Sequence, residues 1–419
     1  MRRRFTLAAL ASIVLLIVSQ PGCGGGNSST TPTSGLDERA FVAVNLTSTG
    51  SILIVDASKD QLSASSIPIQ GVGLFSSPPP TIMIAGPNST TIEYNSGDNN
   101  LNIIDNIKET QVSKIGNIDC TTGSGCQAQF AGPVDSLAAS SDGKFIYAAL
   151  GSNSEVSIVD LTGSSIPTPK NIPSVPGNCQ TNGNCLPGAH RIVLSHNNNK
   201  LLVFNETLTQ FEIVNTPDST VQTVTGLDHP IYGVFSADDS KAYILNCGFE
   251  CGGTQASVVT VDMSSLAVSQ PVNVDAATIG IADTNNLYVA GSNPATPGAG
   301  SMTALSLSSL TAGKQVKIGD GFHQVISLFQ GKVIVGARTC TTGCLSIVDP
   351  NAGTAIIDTP KGDVTAIAPI TPRKVFYTAE GGELRIYDVT TGQEELLNTA
   401  PMIDVVGKVT SVLYVGPKT

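Results

Sequence analysis

The chain of 419 residues contains no tryptophan, four histidines, 5% aromatic residues and 13% charged residues. Each shortage removes a class of function. Few aromatics and no tryptophan leave little from which to build the stacking platforms of a polysaccharide-binding groove. A net charge of −11 argues against nucleic acid and against anionic membrane surfaces as partners. There is no Gly-x-Ser-x-Gly elbow, no Gly-rich phosphate loop, no His-Glu-x-x-His and no calcium loop of alternating Asp. Helical periodicity is missing throughout. The one long apolar stretch, Leu7 to Val18, is too short for a permanent transmembrane helix, which needs about 20 residues.

That stretch has a different use. Arg2, Arg3 and Arg4 precede it, so the pair reads as the n-region and h-region of a secretory signal. It is followed by Gln20-Pro21-Gly22-Cys23. A small residue just before a cysteine at the end of a signal resembles the bacterial lipoprotein box. The resemblance implies that Cys23 becomes the lipidated first residue of the mature chain. It also implies a cell-envelope address, periplasmic or surface-facing. Because no Asp follows Cys23, lipoprotein sorting favours the outer membrane. The chain then divides into a signal (1–22), a Gly/Ser/Thr/Asn/Pro-rich tether (23–39) and one large domain (40–419). Membrane contact is expected only through the lipid, and the protein is expected to be a monomer.

Setting Cys23 aside leaves eight cysteines in four close pairs: Cys120/Cys126, Cys179/Cys185, Cys247/Cys251 and Cys340/Cys344. An even set of local pairs in an exported chain reads as a disulfide framework. Zinc-finger spacing would need a second pair beside each, and none has one.

Eight times a short apolar run ends in an acidic or small polar residue and then turns. The ends of these runs are Asp56, Asp105, Asp160, Asn215, Asp262, Ser306, Asp349 and Asp388. The mean spacing is about 47 residues, within the range of repeat architectures. The clearest unit has a first strand at Ser136–Ser140, an Asp142-Gly143 hairpin turn, a second strand at Phe145–Ala148 and a third at Val156–Asp160. A fourth is expected within Pro169–Ser174. Four strands per unit with Gly/Pro/Asn-rich joints predict an all-β propeller, with eight blades favoured and seven the alternative. The recurrent Asp is read as structural, capping the next turn through backbone N–H groups. At the C-terminus, a first-type strand is expected near Met402–Val406 and a second-type strand at Val412–Val415. That count leaves one second-type strand over.

These units resemble YVTN-type propeller repeats, which read roughly Pro…Ser-Pro-Asp-Gly…Tyr-Val…Val-x-Val-Ile-Asp. The resemblance runs from about Phe41 to Val415. Members range from cell-surface proteins to lactonase-like enzymes, so it implies the fold and leaves function open.

Strand direction alternates within a blade, so loops between second and third strands share a face with the entries to the next blade. All four cysteine pairs are expected on that face. It also receives the starts of the innermost strands, where the register gives Asp135, His190, His323 and Asp363, with His229 and Asp404 at looser positions. Imidazole and carboxylate together suit a divalent metal or acid/base chemistry. The same residues suit hydrogen bonds within each blade. An eight-fold ring is expected to enclose a wide channel that keeps opposite residues apart. The sequence therefore points to a binding or scaffold module for a protein or small-molecule ligand on the stapled face. It needs no cofactor, and a divalent metal is the one ion it could take. The alternative is a lactonase-like hydrolase with a metal at the channel mouth. His196 is expected to be a solvated turn residue.

Overall fold

The computed structural model describes residues 33–45, 51–69, 82–96, 99–112, 114–115, 118–119, 128–162, 170–173, 189–205, 207–293, 298–395 and 402–417. Within them eight antiparallel sheets are the blades of an eight-bladed β-propeller, and a ninth, two-stranded sheet pairs Lys114–Ile115 with Ile118–Asp119. Blade 3 shows the plan: Ser136–Ala139 pairs with Phe145–Leu150, then Glu155–Asp160, then Lys170–Pro173. The first strand of every blade touches the first strands of its two neighbours, and these contacts close into a ring around the axis.

Ring closure uses both ends of the described domain. Blade 1 takes Arg39–Asn45, Ser51–Asp56 and Gln61–Pro68 from the N-terminal side. Its innermost strand is Lys408–Gly416, paired Phe41↔Leu413 and Val42↔Val412. Closing a blade from two chain ends leaves no free sheet edge at the seam. This corrects the expected strand types. Met402–Ile403 is the outer strand of blade 8, and Val412–Val415 belongs to an innermost strand.

Buried apolar residues of the described chain group into eight clusters, each drawn from two successive blades. Cluster Tyr243, Leu245, Val258 and Leu287, Val289, Leu305 joins blades 5 and 6, for example. A second or third strand is thus covered on both faces. That is why Phe145–Leu150 is apolar almost throughout while the outer strand Thr220–Thr225 alternates.

The Asp-ended third strands do what their turns require. Asp105 Oδ1 accepts from the backbone N–H of Ile107 and Lys108 at 2.9 Å; Asp349 Oδ1 accepts from Asn351 at 3.0 Å and Ala352 at 2.9 Å. Asp388 repeats this with Thr390 and Thr391 at 2.7 Å. The residue four places on then turns left-handed: Asp60, Glu109, Ser219, Leu266, Leu310, Gly353 and Gly392 have φ between +46° and +67°. Side-chain capping of this kind compensates for the left-handed backbone at non-glycine residues.

Two of those turn residues became acidic and buried. Glu109 of blade 2 meets Arg39 Nη1 of blade 1 at 2.9 Å, with side chains 2% and 1% exposed. Asp60 of blade 1 accepts a two-pronged contact from Arg373 of blade 8, at 2.5 and 2.8 Å, and bonds the Tyr377 hydroxyl. Ion pairs therefore bridge both seams of the blade that closes the ring.

Turns between first and second strands are linked around the same rim. Asn198 Oδ1 accepts from Ser141 N at 3.0 Å, and Asp239 accepts from His196 N at 3.1 Å and Asn197 N at 2.8 Å. His196 is 64% exposed, and its Nδ1 lies 2.7 Å from Asp239 Oδ1. It is a solvated turn residue with a partner in the next blade.

Candidate functional site

On the opposite rim, loops between second and third strands meet the entries to the innermost strands. Acidic residues at the entries pin those loops. Asp228 accepts from Thr254 N at 2.9 Å, Thr254 Oγ1 at 2.6 Å and Gln255 N at 2.8 Å. Burial alone would raise its pKa, but the Thr254 hydroxyl, His229 and the two backbone N–H groups hold it down to about 2. Asp320 holds Thr341 N at 2.8 Å and Thr342 N at 2.7 Å in the same way. Each of these two loops is also closed by a disulfide, Cys247–Cys251 and Cys340–Cys344, with Cα separations of 5.8 and 5.4 Å. Both lie between second and third strands, as the sequence indicated. Cys23, Cys120, Cys126, Cys179 and Cys185 lie outside the described residues. In chain order, Cys120 and Cys126 fall between Thr110–Gln111 and Ala128–Gln129, which both pair with the third strand of blade 2.

The six candidate residues do not converge on one point: His190 meets Asp135 across two blades, while His229, His323 and Asp363 keep other partners. His190 Nδ1 lies 3.0 Å from Asp135 Oδ2, which also accepts from Gly151 N at 3.1 Å. His229 Nδ1 lies 3.0 Å from its neighbour Asp228. His323 is 1% exposed; its Nε2 is 3.1 Å from the Gly319 carbonyl, its Nδ1 has no partner, and burial pushes its pKa down to about 4. Asp363 Oδ1 accepts from Thr339 N at 2.7 Å. Asp404 is exposed in the segment between the outer strand of blade 8 and the innermost strand of blade 1. Among the described residues no three His, Cys, Asp or Glu side chains gather as a metal-holding group. A single ion shared by Asp135, His190, His323 and Asp363 does not fit this arrangement.

What does gather at the mouth is a cation–aromatic stack. Arg191 opens the innermost strand of blade 4 and reaches over rings of two other blades. Its Cζ lies 5.9 Å from the Tyr232 ring centroid and 5.2 Å from that of Phe322, and its Nη1 donates to the Thr278 carbonyl at 2.6 Å. Arg338, paired across the strands of blade 7 with Phe322, sets its Cζ 4.7 Å from the same ring. Each cation–π contact contributes about 0.5–2 kcal/mol. One side chain from blade 4 thus touches blades 5, 6 and 7, so the mouth is narrower than an eight-fold ring suggested. Nearby, Glu250 sits inside the Cys247–Cys251 loop and accepts from Ser292 N at 2.7 Å. Burial raises its pKa to about 7 against the Ser292 hydrogen bond and the pull of Arg191. Its neighbour Phe249 is 54% exposed at the tip of that loop.

Arg191 and Phe322 are the immediate neighbours of His190 and His323. Side chains alternate along a strand, so a register one residue off selects the set that points between blades. A usable signal was present: an arginine and a phenylalanine at equivalent strand starts, beside two histidines.

No family model matches the chain, and no curated protein matches its sequence. Solved structures do resemble it. A dihydro-heme d1 dehydrogenase, NirN, in complex with DHE aligns over 96% of this chain and 78% of its own, with 12% identity and a TM-score of 0.60. The computationally designed Ika8 protein aligns over 83% and 93%, with 10% identity and a TM-score of 0.55. Kuenenia stuttgartiensis hydrazine synthase aligns over 76% and 98%, with 13% identity and a TM-score of 0.53. Identities this low carry the fold alone. The class is an eight-bladed β-propeller.

Proposed function

We propose that this protein is a lipid-anchored, extracytoplasmic binding module of the bacterial envelope, working through the rim that carries the two disulfide-closed loops. The observation that carries this reading is the double fastening of those loops, by a covalent bridge and by Asp228 or Asp320. Fastened loops lose little entropy when a ligand docks, which favours binding. The rim also offers an exposed aromatic, Phe249, and an exposed arginine, Arg338, residue types enriched at the centres of interfaces. Anchoring through Cys23 follows from the lipoprotein-like signal and would present the rim in the periplasm or at the surface.

Asp135 pairs with His190 while His323 and Asp363 keep other partners, so the four do not converge, which supports binding over metal-dependent hydrolysis. Metal analysis of protein purified without chelators or affinity metals tests this. We expect zinc, calcium and manganese far below one equivalent. Near-stoichiometric metal, lost on His190→Ala with His323→Ala, would reinstate the hydrolase.

A further inference from the structure

The seam between blades 2 and 3 holds a cavity of about 200 Å³ beside the first-to-second-strand turns, on the rim opposite the stapled loops. Ile92, Ile103, Ala139 and Leu161 line it, and Asn88 and Thr90 bring its only polar side chains. The rest of the ring explains the gap. Two places on from the residue paired with the end of each third strand stand Tyr147 in blade 3, Tyr243 in blade 5, Tyr288 in blade 6 and Tyr377 in blade 8. All four are buried in the seam to the next blade. The same place holds Phe41 in blade 1 and Ile92 in blade 2. Blades 4 and 7 carry Leu202 and Ile334 there, but Phe204, Phe211 and Phe235 fill the first of those seams, and Phe376 with Tyr387 the second. In the seam of blades 2 and 3 the buried rings are Tyr94 and Phe130, which pack on each other with centroids 6.0 Å apart and do not line the cavity.

A second truncation widens the gap. Ala139 stands where the next seam has Leu194. Leu161 takes the place of Thr216, the hydrogen-bond partner of the Tyr147 hydroxyl. A hydroxyl entering the cavity therefore has Asn88 and Thr90 to meet. Thr90 Oγ1 donates its own proton to the Pro87 carbonyl at 2.7 Å and keeps lone pairs to accept another. Apolar cavities of about 150 Å³ take up benzene, so the space suits one ring.

We propose that this cavity is a binding site for a small monocyclic phenol. Its ring takes the place that tyrosine rings hold in four other seams, and its hydroxyl donates to Thr90. Lys144, between the lining residues Gly143 and Phe145, is exposed, pairs with Asp142 and takes no part in the site. The site is separate from the stapled rim and does not depend on the reading of that rim.

Calorimetric titration of the full mature protein with p-cresol, the free equivalent of a tyrosine side chain, tests it, with toluene and cyclohexanol as controls. p-Cresol is expected to bind saturably at one site with a dissociation constant below about 1 mM, and at least about threefold more tightly than either control. Thr90→Val should remove the preference over toluene while toluene itself still binds. Ala139→Leu, which restores the leucine of the next seam, should weaken p-cresol at least about tenfold, and Ile92→Tyr, which supplies the ring from the chain, should abolish its binding. Phe249→Ala on the opposite rim should leave binding unchanged. Absence of saturable p-cresol binding overturns the proposal. So does equal binding of toluene or cyclohexanol, or a preference over toluene that survives Thr90→Val.

Discussion

Replacing Glu109 by Gln is expected to lower the unfolding free energy by about 3–5 kcal/mol, the cost of leaving a buried charge without its partner. Arg39 is 1% exposed and its Nε already has no hydrogen-bond partner, so it cannot turn to water when the carboxylate is lost. The double variant Arg39→Met with Glu109→Leu should be far milder than the single one. Leucine suits that turn: Leu266 and Leu310 occupy the same left-handed position in blades 5 and 6, with φ of +59° and +46°. A pair buried this deeply adds little net energy over an apolar replacement and instead penalises wrong docking. Its place, at a seam of the blade built from both chain ends, fits a role in closing the ring in register. Denaturant unfolding of wild type, the single variant and the double variant checks this. Equal losses in single and double variants would mean that the pair stabilises rather than specifies.

Glu212→Gln is expected to raise stability at pH 7.5 by about 3 kcal/mol and to have almost no effect at pH 4.5. Glu212 is 4% exposed in a third strand, hydrogen-bonded by Gln210, and burial pushes its pKa up to about 7. A carboxyl whose pKa is raised on folding contributes its full stability below the unfolded value near 4.5. That stability is lost as pH rises toward 7. Glu250 and Glu380 are raised to about 7 by burial as well, so they act in the same direction. His323 runs the other way: its lowered pKa means stability is lost as pH falls from 6.5 toward 4. Three carboxyls outweigh one imidazole, so wild type should be more stable at pH 5 than at pH 7.5. Denaturant midpoints at the two pH values, for wild type and Glu212→Gln, measure the effect directly. A variant no more stable than wild type at pH 7.5 would contradict the burial argument.

The blade was legible because its signals are local. An Asp at the end of a third strand, the turn after it and the Asp-Gly hairpin are each set by a few adjacent residues, and they count eight blades. What depended on distant partners was not legible. Nothing near Arg39 announces Glu109, 70 residues on, and nothing near Asp60 announces Arg373. At the C-terminus, Met402–Ile403 and Lys408–Gly416 are both short apolar runs, and only pairing decides that one is an edge and the other an axis strand. The mouth was half legible: the innermost-strand starts were found, but His190 was preferred to Arg191 and His323 to Phe322. Histidine and aspartate drew attention through their chemistry, whereas the pleat sends their neighbours toward the axis.

The most direct test of the account is photocrosslinking in the native host, with a photoreactive residue at Phe249 on the stapled rim and, in a second variant, at Lys144 on the opposite rim. A discrete adduct, identified by mass spectrometry, is expected from position 249 and none from position 144. Equal labelling from both positions, or labelling from 144 alone, would contradict it.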